Sequence, residues 1–204
     1  MSNLNYFGER EQRLQKQFAK FRSRVSQPML VALERLKVTP FQITTVSAMF
    51  GLIFGGLVAY RSPWAIAFFA LHLLADSLDG SLARHLKVES KAGAFMDMVT
   101  DHIGLMAICG LGAIYGEQFA LLFPVYGFTY ITLIVLVSAG NAFGVRNNLV
   151  VRTKYAFFGV VCLNLFFPLE QFLRGVCYFF IFVNAVVIAV AWWKMSKATH
   201  SDIS

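Results

Sequence analysis

Four aspartates in an otherwise apolar region have the spacing that metal-assisted phosphate chemistry needs. Asp76 and Asp79 are three residues apart and Asp97 and Asp101 are four apart, so each pair shares one face of a helix. An acidic side chain at the centre of a membrane costs about 2.5–3.5 kcal/mol even on insertion scales, and such residues usually have a function. Carboxylate oxygens are the ligands that Mg²⁺ and Mn²⁺ prefer. We therefore predict a two-metal site held by all four aspartates.

Two glycines, an alanine and an arginine lie at fixed positions among these acids. The full pattern is Asp76-x2-Asp79-Gly80-x2-Ala83-Arg84-x8-Gly93-x3-Asp97-x3-Asp101. The lack of side-chain bulk at Gly80, Ala83 and Gly93 lets a flat base lie against helix backbones. The guanidinium of Arg84 offers a planar fork of donors to phosphate oxygens. The pattern thus predicts a nucleotide-binding site beside the metals.

The elements that must position these residues are membrane-spanning helices. The chain is 57% hydrophobic and 14% charged, whereas a soluble domain is about 25% charged. Six apolar stretches are long enough, or nearly so, to cross about 30 Å of hydrocarbon. They predict an all-α, polytopic membrane protein with six transmembrane helices. The predicted helices are Phe41–Tyr60, Trp64–Leu82, Gly93–Tyr115, Gln118–Ala142, Tyr155–Leu173 and Gly175–Trp193. The predicted catalytic domain covers residues 41–204.

Residues 1–40, which are polar and basic, are predicted to form a separate cytoplasmic or interfacial segment, and we expect no secretory signal there. Between Glu9 and Lys37 apolar residues recur at three- or four-residue steps among arginines and lysines, which predicts an amphipathic helix. Such a helix lies on an anionic membrane surface or packs on the cytoplasmic face of the protein itself. We favour the membrane surface.

Charge asymmetry predicts the orientation. If both termini are cytoplasmic, 16 of the 18 lysines and arginines fall on the cytoplasmic side and only Arg61 and Arg174 on the other. Arg84 and the charged end of the predicted site then also face the cytoplasm. Gly51 and Gly55 form a small-xxx-small pair, which predicts close packing within the bundle or, as the alternative, a dimer contact.

The motif resembles that of the CDP-alcohol phosphotransferases, which it matches at every fixed position across 26 of 204 residues. The resemblance implies that Gly80, Ala83 and Gly93 line a cytidine pocket, that Arg84 contacts the diphosphate and that Asp101 is the catalytic base. It also implies a CDP-linked lipid donor and a homodimer. Family members often carry Pro-Asn-x-x-Thr near the nucleotide; here Phe41 replaces the asparagine, and the threonine is Thr44.

Arg146, Arg152 and Lys154 form a second cationic group within nine residues. They predict either an ordinary positive-inside loop or a pocket for an acceptor that itself carries phosphate. Of the other polar residues, His72 lies four residues before Asp76 and could orient that aspartate as a hydrogen-bond partner.

The predicted function is phospholipid biosynthesis. An integral-membrane enzyme would transfer the phosphatidyl group of CDP-diacylglycerol to a small alcohol, with or without a phosphate, and release CMP; no nucleic acid is involved. The alternative within the family is a CDP-choline or CDP-ethanolamine:diacylglycerol phosphotransferase. Prenyltransferases also place D-x-x-D pairs in membrane helices but lack the rest of the motif. A cation transporter is a remote alternative. The acceptor and the choice of Mg²⁺ or Mn²⁺ stay open.

Overall fold

A computed structural model describes residues 27–145 and 152–201 of the chain, and these residues are almost entirely helical with no strand among them. A first helix, α1, covers residues 27–35. The remaining elements are α2 (Pro40–Ala59), α3 (Ala65–Leu86), α4 (Lys91–Gly110), α5 (Gly112–Tyr115), a short 3₁₀ helix (Glu117–Phe119), α6 (Leu122–Ala142), α7 (Thr153–Asn164) and α8 (Glu170–Ser201). The predicted all-α fold is confirmed.

Local sequence sets the ends of the helices around the motif. Thr39 caps α2 through a capping box, in which its hydroxyl accepts from the Gln42 backbone and the Gln42 side chain accepts from the Thr39 backbone. Helix α3 ends at Lys87, whose backbone is left-handed (φ 56°). Ser90 then caps α4 by accepting a hydrogen bond of 3.0 Å from the Gly93 backbone. A short turn therefore connects the two helices that carry the aspartates.

Among the described residues, five helical stretches are long and apolar enough to cross a membrane, by length and composition. The predicted fifth span, Tyr155–Leu173, is not confirmed, because α7 has only 12 residues and a spanning helix needs about 20. Asn164 ends α7 and its side-chain oxygen accepts a hydrogen bond of 2.7 Å from the Leu169 backbone. Pro168 disfavours helical geometry just before it. Helix α8 then runs for 32 residues.

Helix α2 organises the first half of the bundle. It packs along both α3 and α4, whereas α3 and α4 contact each other only sparsely. Gly51 and Gly55 allow the close approach to α4: a Cβ added at Gly55 would lie 2.3 Å from the Cβ of Ala107, and one at Gly51 would lie 3.3 Å from the Gly104 backbone nitrogen. The predicted role of this glycine pair in packing within the bundle is thereby confirmed.

Helix α1 packs on the protein rather than standing apart from it. Leu30 is buried in a small cluster with Ile43 of α2 and Leu78 and Leu82 of α3. Most of the predicted amphipathic segment, residues 1–26, lies outside the described residues, so the division at residue 40 and the surface helix stay predictions. For residues 27–35, the alternative of packing on the bundle is the one the structure supports.

Candidate active site

A cavity of about 500 Å³ opens where α2 begins, α3 ends and α4 begins. All four predicted nucleotide-binding residues line it, together with two of the aspartates and the start of α2: Gly80, Ala83, Arg84, Gly93, Asp79, Asp97, Pro40, Phe41 and Thr44. The turn at Lys87 and the cap at Ser90 fold α4 back, so that Arg84 and Gly93, nine residues apart in sequence, face the same space. The structure thus brings the four predicted nucleotide-binding residues to one cavity with Asp79 and Asp97, whereas Asp76 and Asp101 do not line it.

The small residues of the motif leave space around the arginine. A Cβ added at Gly80 would lie 3.5 Å from a guanidinium nitrogen of Arg84, so the arginine side chain lies across the glycine. The guanidinium also donates a hydrogen bond of 3.3 Å to the Ser81 hydroxyl. Because Arg84 is exposed on the wall of the cavity, its fork of donors lies within reach of a phosphate group that enters there.

The four aspartates have different surroundings. Asp79 is buried, and one of its oxygens accepts a hydrogen bond of 2.7 Å from the Thr44 hydroxyl. Asp97 is exposed on the wall of the cavity. Asp76 is half-buried, and its Oδ1 is a buried oxygen without a hydrogen-bond donor among the described residues. Asp101 forms an ion pair with Lys154.

The four aspartates carry the oxygen donors that hard divalent cations prefer, but no three of these side chains meet at one point in the described part of the chain. The charge of Asp76 interacts with those of the other three aspartates, and a buried carboxylate oxygen without a donor is a place where a cation satisfies an otherwise uncompensated group. Within residues 27–145 and 152–201, no three histidine, cysteine or acidic side chains lie close enough together to hold one metal ion. Two of the carboxylates instead contact protein donors, Asp79 with Thr44 and Asp101 with Lys154.

The predicted acceptor cluster is only partly described. Arg146 lies outside the described residues. Lys154 is 2% exposed, and its ammonium contacts a carboxylate oxygen of Asp101 and the Asp101 backbone carbonyl, the latter at 3.0 Å. Arg152 precedes α7 and has a buried guanidinium nitrogen. Lys154 therefore lies beside the predicted base, and acceptor binding by this cationic group stays a prediction.

Two further residues acquire clear roles. The sequence indicates Thr44 only as part of a family stretch, and its bond to Asp79 across 35 residues cannot be read from spacing. His72 is buried, and its Nδ1 lies 3.0 Å from the Ser47 hydroxyl and 2.9 Å from the Ser47 carbonyl oxygen. The histidine therefore joins α3 to α2, and the contact with Asp76 that the spacing allows is not formed.

Comparison with known proteins shows the family of the chain. A model of the CDP-alcohol phosphatidyltransferase family matches residues 37–198. The chain belongs to this family of transferases, which confirms the resemblance predicted from the motif. Together with the long apolar helices, family membership supports an integral-membrane protein.

Individual curated proteins are also similar to parts of the chain. The chain is 32% identical to the phosphatidylinositol phosphate synthase of Cutibacterium acnes over 99 residues, which are 46% of each chain. It is 34% identical to the phosphatidylinositol phosphate synthase of Streptomyces avermitilis over 93 residues, 44% of this chain and 38% of the relative. An uncharacterised protein of Aquifex aeolicus is 34% identical over 105 residues, 47% of this chain and 52% of that protein. The chain spans about half the length of these relatives, or less. No solved structure matches the chain significantly.

Proposed function

We propose that the protein transfers the phosphatidyl group of CDP-diacylglycerol to the hydroxyl of a small alcohol and releases CMP. The observation that carries this proposal is the cavity beside α2, which gathers Gly80, Ala83, Arg84 and Gly93 with two aspartates. It combines a surface free of bulky side chains, a fork of cationic donors and hard oxygen ligands. A nucleoside diphosphate linked to a lipid needs these three features.

The donor binds with its base against the backbone of Gly80, Ala83 and Gly93 and its diphosphate near Arg84. A guanidinium that lies across Gly80 can turn its donors to phosphate oxygens without moving the helix. The surrounding helices expose apolar side chains outward, which suits a substrate whose acyl chains stay in the membrane.

The four aspartates would hold two divalent cations, Mg²⁺ or Mn²⁺. When bound, such cations neutralise charge on the diphosphate and on the CMP that leaves. Asp76 supplies an oxygen with no donor among the described residues. The Thr44 hydroxyl orients Asp79. Asp101 takes the proton from the attacking hydroxyl, for which the carboxylate must be within hydrogen-bond reach of the acceptor.

The acceptor carries a phosphate that Arg146, Arg152 and Lys154 bind. Two observations support this part of the proposal: Lys154 lies beside the proposed base, and two relatives bear the name phosphatidylinositol phosphate synthase. An inositol phosphate is therefore the first acceptor to test. A phosphate held next to Asp101 would keep the hydroxyl of the same molecule near the carboxylate.

The active site faces the cytoplasm, and the protein acts as a homodimer with both termini in the cytoplasm. Support for this orientation comes from the charge pattern. Arg35, Lys37, Arg84 and Lys87 all lie at the end of the bundle where the cavity opens, as the excess of positive charge on cytoplasmic segments requires.

The test is CMP release by purified protein in detergent, with CDP-diacylglycerol and either Mg²⁺ or Mn²⁺. The acceptors compared are inositol 1-phosphate, glycerol 3-phosphate, inositol and serine. Asp101→Asn is the matched control, because it keeps the size of the side chain and removes the base. We expect metal-dependent release with one phosphorylated acceptor and none in the control.

Each other result corrects a defined part of the proposal. Release with serine or inositol alone would keep the catalytic site and remove the phosphate pocket. A third result is that CMP is released only when CDP-choline or CDP-ethanolamine is the donor and diacylglycerol is the acceptor. The lipid would then be the acceptor rather than part of the donor. A protein that binds no cytidine nucleotide in the presence of metal would refute the enzyme and favour a cation transporter.

A further inference from the structure

We propose that Lys154 is the internal counter-cation of the aspartate site: its ammonium holds Asp101 in the metal-free protein and competes with a divalent cation for that carboxylate. Lys154 is then a positioning residue that acts through Asp101. This inference rests on the proposed function, since it takes the four aspartates as the metal site. It gives Lys154 a role that acceptor binding does not require.

The Lys154 ammonium is buried and has several partners. Lys154 is 2% exposed, and a buried ammonium is very costly unless it is paired and hydrogen-bonded. Its nitrogen contacts the Asp101 carboxylate and donates to the Asp101 backbone carbonyl at 3.0 Å. It also lies 4.8 Å from the centre of the Tyr155 ring. Three kinds of partner therefore surround one charge.

The position of the lysine is fixed by its neighbours on three helices. The adjacent Thr153 is buried, and its hydroxyl lies 3.1 Å from the hydroxyl of Tyr126 on α6 and 3.5 Å from the side-chain oxygen of Asn184 on α8. Asn184 is fully buried and donates to the Thr129 hydroxyl at 3.4 Å. This network connects the start of α7 to α6 and α8. It holds the backbone at Lys154 in place, so that the ammonium reaches Asp101 on α4.

The Lys154 ammonium is also close enough to a second aspartate, Asp76, to affect it. It interacts electrostatically with Asp76, whose buried Oδ1 has no hydrogen-bond donor among the described residues. An added cation near these two acids therefore meets a positive charge that is already present. A carboxylate oxygen that accepts from an ammonium must weaken that contact before it binds a metal strongly. Lys154 thus stabilises the acids when no metal is bound and lowers their affinity for metal.

The test compares metal binding by Lys154→Met, Lys154→Gln and Lys154→Arg with the wild-type protein. Mn²⁺ binding is measured by electron paramagnetic resonance on full-length protein in nanodiscs, without nucleotide or acceptor. Loss of one positive charge beside a dication changes its binding constant on the order of tenfold. We expect Lys154→Met and Lys154→Gln to bind Mn²⁺ more tightly by this factor, and Lys154→Arg to bind like the wild type.

Thermal unfolding in excess chelator gives a second readout. Lys154→Met should unfold at a lower temperature than the wild type, and saturating Mn²⁺ should remove most of the difference. Lys197→Met is the control, because Lys197 is exposed and stacks on Trp193; it should change neither readout. If Lys154→Met does not fold, Lys154→Gln, which keeps a donor for the carboxylate, decides the question by its Mn²⁺ affinity.

Two results would overturn the inference in different ways. Unchanged or weaker Mn²⁺ binding by the neutral variants, with a raised acceptor KM, would assign Lys154 to the acceptor phosphate and leave the proposed function standing. A wild-type protein that binds no Mn²⁺ would refute the metal site itself and, with it, both proposals.

Discussion

Substitution of Gly55 by alanine tests whether close packing of α2 on α4 holds the site together. An added Cβ at this position would lie 2.3 Å from the Ala107 Cβ and 3.0 Å from the Ile108 backbone nitrogen. Neither neighbour is the end of a flexible side chain, so the helices themselves must separate. Gly56 is the matched control, since a Cβ there meets nothing within 4 Å.

The size of the effect follows from these distances. Two carbon atoms in contact lie about 3.5–4.0 Å apart, so α2 and α4 must move apart by roughly 1 Å or more at Ala107. Overpacking of this kind costs about 1–3 kcal/mol. Ala107 lies on the same helix as Asp97 and Asp101, and a displacement of about 1 Å in a catalytic group can reduce the rate on the order of 10²-fold.

The assay has two parts. The SDS concentration at the midpoint of unfolding, followed by tryptophan fluorescence, reports stability, and CMP release under saturating substrates reports activity. Gly55→Ala should lower both, whereas Gly56→Ala should leave activity unchanged and hold or raise stability. If the two variants behave alike, the packing of α2 on α4 does not position the site, and the glycine pair has no part in holding the aspartates in place.

Three further outcomes are expected. Thr44→Val removes the donor to Asp79, a hydrogen bond to a charged group worth about 1.5–3 kcal/mol; kcat/KM for CMP release should fall roughly tenfold to a hundredfold, and Thr44→Ser should restore most of it. Asn164→Leu removes the donor to the buried Tyr115 hydroxyl and one of two acceptors of the Leu169 backbone N–H; it should lower the unfolding free energy by about 1–3 kcal/mol, as the shift in the SDS midpoint would show, whereas an unchanged midpoint would contradict this role. In cells, Lys87→Cys should react with a membrane-impermeant maleimide only from the cytoplasmic side and Glu117→Cys only from the opposite side; labelling of both from one side would refute the orientation.

Much of the site is predictable because the motif is local in sequence. Helical spacing alone places Asp76 with Asp79 and Asp97 with Asp101 on shared faces. The turn between α3 and α4 is short enough to bring Arg84 and Gly93 to one cavity. Composition likewise suffices for an all-α membrane protein. These conclusions need no knowledge of how distant helices pack.

Two features could not be predicted from the sequence: the contacts between distant segments, and the end of a helix inside an apolar stretch. Spacing pairs His72 with Asp76 one turn away on its own helix, but α2 offers the histidine the Ser47 hydroxyl and carbonyl instead. The predicted fifth span runs through Pro168 because the stretch around it is apolar, and mean hydropathy does not register a helix end. The contact between Lys154 and Asp101 cannot be predicted from spacing either, because 53 residues separate them.

The location of the cavity follows from the way α2 packs. Glycine faces let α2 approach α4 closely, and α3 covers another side of α2, so α3 and α4 diverge and share few contacts. In most of the bundle large side chains fill such gaps, as Phe54 and Phe158 do deeper in the core. At the end that carries the motif, small residues occupy the facing positions and the gap stays open. On the proposed function, a substrate would enter between two helices there without forcing them apart, which is a physical reason for glycine and alanine beside the acids.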